Sequence, residues 1–227
     1  MALILSIETS TTVCSVAIHE GGKIKASSTY YIDKSHSTVL IPTIDTLISR
    51  SGYDKTNLSA VALSKGPGSY TGLRIGTSTA KGLCFALDIP LIAVGTLEGL
   101  ARQAAPFLDL DVRLCPMLDA RRMEVYTCIL DNDLSVVKDV HPAIIDDTSF
   151  KKELDGGKVA FFGNGANKCR EAITHRNAIF IEDVEPSAEE IGYLAYTKFQ
   201  KSTFEDVAYF EPFYLKEFRA TVPKARI

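Results

Sequence analysis

The sequence predicts an α/β protein of two lobes, and three observations carry that prediction. Through the first half, short apolar runs alternate with helical stretches in the order β-β-β-α-β-α-β-α. A glycine-rich turn, Gly66-Pro67-Gly68-Ser69-Tyr70-Thr71-Gly72, joins one of those strands to a helix. The second half repeats the order in a reduced form, as an internal duplication would. With 227 residues, 46% of them apolar, the chain can bury one substantial core or two small ones. The division falls at Pro106, giving an N-terminal lobe over residues 1–106 and a shortened C-terminal lobe over 107–227.

Leu3 to Ile7 is a short apolar run, and Val13, Val16 and Ile18 resume it after the polar turn Glu8-Thr9-Ser10-Thr11-Thr12, which predicts a hairpin. Gly21-Gly22 marks a second turn, and Lys23 to Tyr31 forms a third strand. From Ser35 the period becomes helical, with Leu40, Ile44, Leu47 and Ile48 on one side, a cap at Ser35 or Ser37 and Gly52 as the stop. Leu58 to Leu63 is a strand that leads through the glycine turn into a helix over Tyr70–Leu87. Leu91 to Val94 is the next strand, and Thr96 caps a helix running to about Ala105.

In the second half, strands fall at Arg113–Leu118, Val125–Leu130 and Ser135–Val140, followed by a helix at Ser149–Leu154 and a strand at Val159–Phe162. A helix from Ala166, a strand at Ala178–Ile181 and a helix at Ser187–Gln200 complete it. Glu8 and Asp119 both end an apolar strand just before a hairpin, so two lobes facing each other would set both acids at a shared cleft.

Composition excludes several classes. The 25 basic and 28 acidic residues give a net charge of −3, which is no footprint of a free-standing nucleic-acid binder, so an RNA role has to come through a partner. The five cysteines are odd in number and scattered, with no C-x-x-C, which fits reduced core thiols. No apolar run approaches the ~20 residues of a membrane span, and no signal peptide opens the chain, so cytoplasm is the expected compartment. The four histidines form no i, i+4 pair and H-E-x-x-H is absent. No metal site and no catalytic nucleophile is assigned.

Gly66, Gly68 and Gly72 permit close backbone approach, and Ser69 and Thr71 can cap a helix whose first amides would suit a phosphate. The same glycines could simply let the helix sit tightly on the sheet. Along that helix Gly72, Gly76, Ala80 and Cys84 form a smooth face that could meet the helix over 35–51 or a second chain. The helix over 35–51 is apolar around much of its circumference, which suits a partner interface as well as a core. Asp119, Arg121, Arg122 and Glu124 on the second hairpin could form a salt-bridged surface loop or reach across the cleft.

Ile7-Glu8-Thr9-Ser10, the eleven residues Gly66 to Gly76, and Leu118-Asp119-Ala120-Arg121-Arg122-Met123-Glu124-Val125-Tyr126 together resemble the bacterial TsaB (YeaZ) family. Gly163-Asn164-Gly165 and Tyr214-Leu215 extend the likeness over nearly the whole chain. The resemblance implies the actin-like ATPase, sugar kinase and Hsp70 superfold (ASKHA, ribonuclease H-like), with a shortened second lobe. It also implies a part in making N6-threonylcarbamoyladenosine at position 37 of tRNAs that read ANN codons, as the non-catalytic partner of the metal-binding paralogue TsaD, joined by the ATPase TsaE. The paralogue's metal histidines have no counterpart pair here, where His36 stands alone with Leu40 four residues on.

By the same resemblance, helices 35–51 and 70–87 form the interface with TsaD or a homodimer, through His36, Leu40, Ile44, Leu47, Arg74, Gly76, Thr77, Ala80 and Lys81. A charge at Ile44 or Gly76 is then expected to break pairing while sparing the fold. Glu8, Thr9, Ser10, Gly66, Gly68, Ser69 and Thr71 map to the superfold's nucleotide cleft, with Glu8 in place of its usual aspartate. No tightly held cofactor is expected, and ATP or ADP would sit at the interface of the complex. Two further readings follow from the superfamily: an independent ATPase or phosphotransferase, and a glycoprotease-type peptidase.

Overall fold

The computed structural model describes residues 1–32 and 35–216. Its first sheet holds β1 (Leu3–Glu8), β2 (Cys14–Glu20), β3 (Lys23–Tyr30), β4 (Ala60–Ser64) and β5 (Leu91–Val94), with α1 (His36–Arg50) and α2 (Tyr70–Leu87) between them in sequence. After α3 (Thr96–Ala104) the second sheet holds β6 (Arg113–Asp119), β7 (Glu124–Leu130), β8 (Val136–Ile144), β9 (Val159–Phe162) and β10 (Ala178–Phe180), with α4 (Lys151–Gly156) before β9 and α5 (Ala188–Gln200) at the end.

The two sheets have one plan. The first runs in the order β3-β2-β1-β4-β5 and the second in the order β8-β7-β6-β9-β10. In each, the first three strands are antiparallel neighbours and the last two join in parallel. The central strands β1 and β4 are buried on both faces, so they are apolar almost throughout and lack the alternation of a half-exposed strand.

Leu3, Leu5, Ile7, Val16 and Leu63 face α1 and α2, where Leu40, Ile44, Ile48, Ala80 and Cys84 close the core. The opposite face, with Ile4, Ala62, Ile92 and Val94, is covered by Ile191 and Ala195 of α5. The second sheet is covered on one face by Leu97, Leu100 and Ala104 of α3, against Leu114, Leu118 and Phe162. Its other face packs Cys115, Met117, Ile129 and Phe161 beneath Leu154 and Cys169.

The two halves therefore exchange helices. α3, encoded with the first sheet, covers the second, and α5, encoded with the second, covers the first. They meet in the middle, where the Arg102 guanidinium pairs with Glu190 and lies 4.2 Å from the centre of the Tyr193 ring.

Local differences from the sequence-based elements have simple causes. The helix expected from Ala166 is only a 3-10 turn at Asn167–Cys169, and Ala166 offers no side-chain cap. The strand expected to stop at Val140 continues to Ile144 through Pro142, which an edge strand tolerates because one side of it needs no N–H donor. Gly95, not Thr96, occupies the cap position of α3, and the Thr96 amide donates to the Gly66 carbonyl at 3.1 Å. Among the described residues no helix is long and apolar enough to cross a membrane, and all five cysteines are buried free thiols.

Candidate functional site: the glycine turn and the outer face of the helix pair

The glycine turn sits where β4 ends and α2 begins, directly against the end of β1. A methyl group on Gly68 would collide with the Ser10 backbone, one on Gly72 with the Thr9 carbonyl, and one on Gly76 with the Thr9 hydroxyl. The contact is also hydrogen-bonded. The Ser69 amide donates to the Ser10 carbonyl at 2.6 Å, Thr9 Oγ1 donates to the Gly72 carbonyl at 2.9 Å, and Ser69 Oγ caps α2 by accepting from the Gly72 amide at 3.3 Å.

The turn is covered from the other side by the C-terminal segment. Lys81 Nζ donates to the carbonyls of Ala208 and Phe210 at 3.0 and 3.1 Å. The Phe213 amide donates to the Lys65 carbonyl at 2.7 Å, and the Phe213 carbonyl lies over Gly66, which has a φ of +110°. The Tyr214 ring then rests on Tyr70, 4.9 Å between centroids, and Lys216 pairs with Glu124 on the second hairpin.

Of the residues mapped to a nucleotide cleft, Glu8, Thr9 and Ser10 are all buried. Glu8 Oε1 accepts from the Ser10 amide at 2.6 Å and from Ser64 Oγ at 2.9 Å, while Oε2 and Ser10 Oγ have no hydrogen-bond partner among the described residues. Burial pushes the Glu8 carboxyl above its ordinary range, with the Ser10 and Ser64 hydrogen bonds opposing the shift. Thr71 is exposed at the start of α2. The amides of Ser69 and Gly72 and the space over Gly66 are thus used by the chain itself. Asp119, at the equivalent position in the second sheet, is half exposed and pairs with Lys168. No three His, Cys, Asp or Glu side chains converge as a metal cluster among the described residues.

The helix pair divides differently from the sequence-based assignment. The stripe Gly72, Gly76, Ala80, Cys84 points inward, and Leu40, Ile44 and Thr77 are buried with it. His36 is buried too, its Nε2 3.2 Å from the Val13 carbonyl. Ile44 is 2% exposed, so a charge there or a side chain at Gly76 would damage the fold as well as any interface. Lys81 is occupied by the C-terminal segment, Arg74 folds onto the Tyr70 hydroxyl at 3.1 Å, and Leu47 is partly buried against the core.

What faces outward is a neighbouring set. Ile41 and Asp45 of α1 and Ser78, Thr79, Gly82 and Leu83 of α2 line a groove of 380 Å³, with a Lys55–Asp45 ion pair of 2.7 Å at its edge. Ile41 is 57% exposed, and Phe85, one turn beyond Gly82, is 86% exposed. In the sequence, Ile41 belongs to the extra apolar width of helix 35–51 and Ser78 lies off the small-residue stripe, but the helical period does not separate the outer face from the inner one. At Gly82 an added Cβ would meet nothing within 4 Å.

Comparison with known proteins bears on the family to which the chain belongs. The model of the TsaD family, described as tRNA N6-adenosine threonylcarbamoyltransferase, matches residues 30–224. The TsaB protein of Bacillus subtilis (strain 168), a tRNA threonylcarbamoyladenosine biosynthesis protein, is 36% identical over 174 residues, 75% of this chain and 74% of that one. The structure of YeaZ from Pseudomonas aeruginosa superposes with a TM-score of 0.84 at 27% identity, over 95% of this chain and all (100%) of that one. An activator of the 2-hydroxyisocaproyl-CoA dehydratase from Clostridium difficile, solved with bound ADPNP, shares the fold at a TM-score of 0.53 and 12% identity, over 88% of this chain and 96% of that one. The shared fold is a mixed α/β arrangement in which two five-stranded sheets follow one plan. The chain belongs to the TsaB (YeaZ) family of tRNA threonylcarbamoyladenosine biosynthesis proteins.

Proposed function

We propose that the chain is the non-catalytic subunit of a tRNA threonylcarbamoyladenosine-forming complex. It pairs with a TsaD-like paralogue through the outer faces of α1 and α2, and a TsaE-like ATPase joins the pair. The observation that carries this reading is the groove between the two helices, flanked by the exposed apolar side chains of Ile41 and Phe85. An apolar surface of this kind on two long helices is suited to a helical partner. The same face would join two copies of the chain when the paralogue is absent.

Transfer chemistry is left to the paralogue, and tRNA is reached only within the complex, in the cytoplasm. ATP or ADP would bind at the interface of the complex; in support, the Ser69 amide that could meet a phosphate in this chain donates to the Ser10 carbonyl, and the Phe213 carbonyl lies over Gly66. Micromolar binding and turnover of Mg-ATP by the purified chain would favour the independent ATPase instead.

The direct test is the pair of variants Ile41→Asp and Phe85→Asp. Both side chains are exposed, so thermal unfolding is expected to stay close to that of the parent. Co-purification with the TsaD-like paralogue is expected to be lost, together with the modified nucleoside in cells that depend on the variant. Undiminished co-purification would overturn the assignment of this face.

A further inference from the structure

α5 lies on the first sheet with a polar seam beneath it. His19 of β2 and Ser6 of β1 are fully buried there, and neither ring nitrogen of His19 nor Ser6 Oγ has a hydrogen-bond partner among the described residues. Buried polar groups are nearly always paired, so orphaned atoms gathered in one place call for a reason. The helix backbone closes the seam at Gly192, where an added Cβ would collide with the imidazole and come within 2.8 Å of Ser6 Oγ. A charged ring roofed in this way has no route to water.

The seam belongs to the joint between the lobes. The His19 ring meets Tyr193 edge-on, 4.9 Å between centroids, and the Arg102 guanidinium of α3 covers that tyrosine while pairing with Glu190. Of the charged groups around the ring, Glu189 of α5 favours the imidazolium and Arg102 opposes it. Glu190 is taken by Arg102, and Glu20 and Lys25, on β2 and β3, pair with each other at 3.0 Å. Burial outweighs Glu189 and holds the His19 imidazole down at about 4. Once uncovered, the ring takes a proton near its ordinary 6.5.

α5 is the element that can yield. β2 is locked into ladders with β1 and β3 on its two sides, whereas α5 is a single helix of 13 residues reached through residues 181–187, which form neither helix nor strand. Its polar ties to the first sheet are separate bonds, from the Ala188 amide to Ser15 Oγ at 3.2 Å, from Ser27 Oγ to Glu189 at 2.6 Å and from Lys198 Nζ to the Ala93 carbonyl at 2.7 Å. We infer that the seam of His19 and Ser6 is an acid-sensitive joint: when the imidazole takes a proton, α5 lifts from the first sheet and the tie between the lobes opens, while the α1–α2 side stays folded. The open form binds a proton that the closed form excludes, so the opening constant rises by up to about tenfold per pH unit as pH falls from 6.5 toward 4. The inference does not depend on the proposed partner role.

Hydrogen exchange of the purified chain between about pH 7 and pH 5, read segment by segment and corrected for the pH dependence of intrinsic exchange, tests the joint. The α5 amides should exchange faster than those of α1 throughout, and their opening constant should rise roughly five- to tenfold from pH 6 to pH 5. His19→Gln, which cannot titrate in this range, should flatten the rise. An undiminished rise in His19→Gln would overturn the inference, since carboxylates such as Glu190 would then govern the opening. Exchange of α5 and α1 in step would also sink it, as global unfolding. Where His19→Gln fails to fold, the imidazole proton resonance of the parent chain decides. Protonation should accompany loss of α5 protection, and a ring that protonates under a fully protected α5 would refute the joint.

Discussion

The two lobes share one strand plan and differ in what covers it. Beside the first sheet stand α1 and α2, of 15 and 18 residues, whereas the corresponding places beside the second hold α4, of 6 residues, and a 3-10 turn of 3. Both lobes still set glycines against the end of their first strand. Gly68 and Gly72 lie on Ser10 and Thr9, and Gly163 and Gly165 lie on Met117 and Leu118. The close approach survives in both, but the long helix survives only where Ser69 caps it. In the second lobe the turn starts from Ala166, which offers no side-chain cap, and ends at Cys169. The comparison separates a lobe that displays helices from one that supports it.

Breaking the first lobe at its tightest point should have the largest effect. Gly72→Val drives a branched side chain into the Thr9 carbonyl, and a loss of about 4 kcal/mol or more, seen as failure to fold or a collapsed urea midpoint, is expected. In the second lobe, Phe161 is fully buried between Phe150 and Phe180, and Phe161→Ala should cost about 3–5 kcal/mol in the same measurement. Because α3 and α5 tie the lobes together, both variants should still unfold in one transition. Two separate transitions would show that the exchanged helices do not couple the lobes.

The buried acid at the end of β1 sharpens the contrast through pH. Burial raises the Glu8 carboxyl above its ordinary 4.5 in the folded chain, so folding takes up protons there. Its contribution is fully present below the unfolded value and is lost as pH rises through the folded one. Glu8→Gln should therefore flatten the fall in stability as pH climbs from 4.5, measured by denaturant titration at several pH values. A profile left unchanged by Glu8→Gln would show that this buried carboxyl does not govern it. The smallest effect is expected at Gly82→Ala, where the added methyl meets nothing within 4 Å and helix propensity should add about 0.5–1 kcal/mol.

Much of the fold was legible in the residues. Among the described residues, nine of the ten strands lie close to the bounds that apolar runs and turn signals predict, and Glu8 and Asp119 mark the repeat that the two sheet orders display. The glycine turn was legible as a place of close approach, though spacing alone left ligand and packing equally open. The second reading is what the Thr9 and Ser10 contacts favour. The interface residues were legible only as a helical period. Leu40, Ile44, Gly76 and Ala80 have the pattern of a contact face, and the contact they make is with the chain's own sheet.

Local propensities and apolar period were enough to set which segments become strands and helices, because those depend on a few neighbouring residues. Which sheet each helix covers depended on the assembled molecule. An apolar stripe such as that of α3 or α5 fits any complementary face. The exchange is settled by contacts far apart in sequence, such as Gly99 against Ile191 and Gly192 against His19. The same holds for the phase of the α1–α2 pair, where burial of one side by the sheet leaves Ile41 and Phe85 exposed on the other.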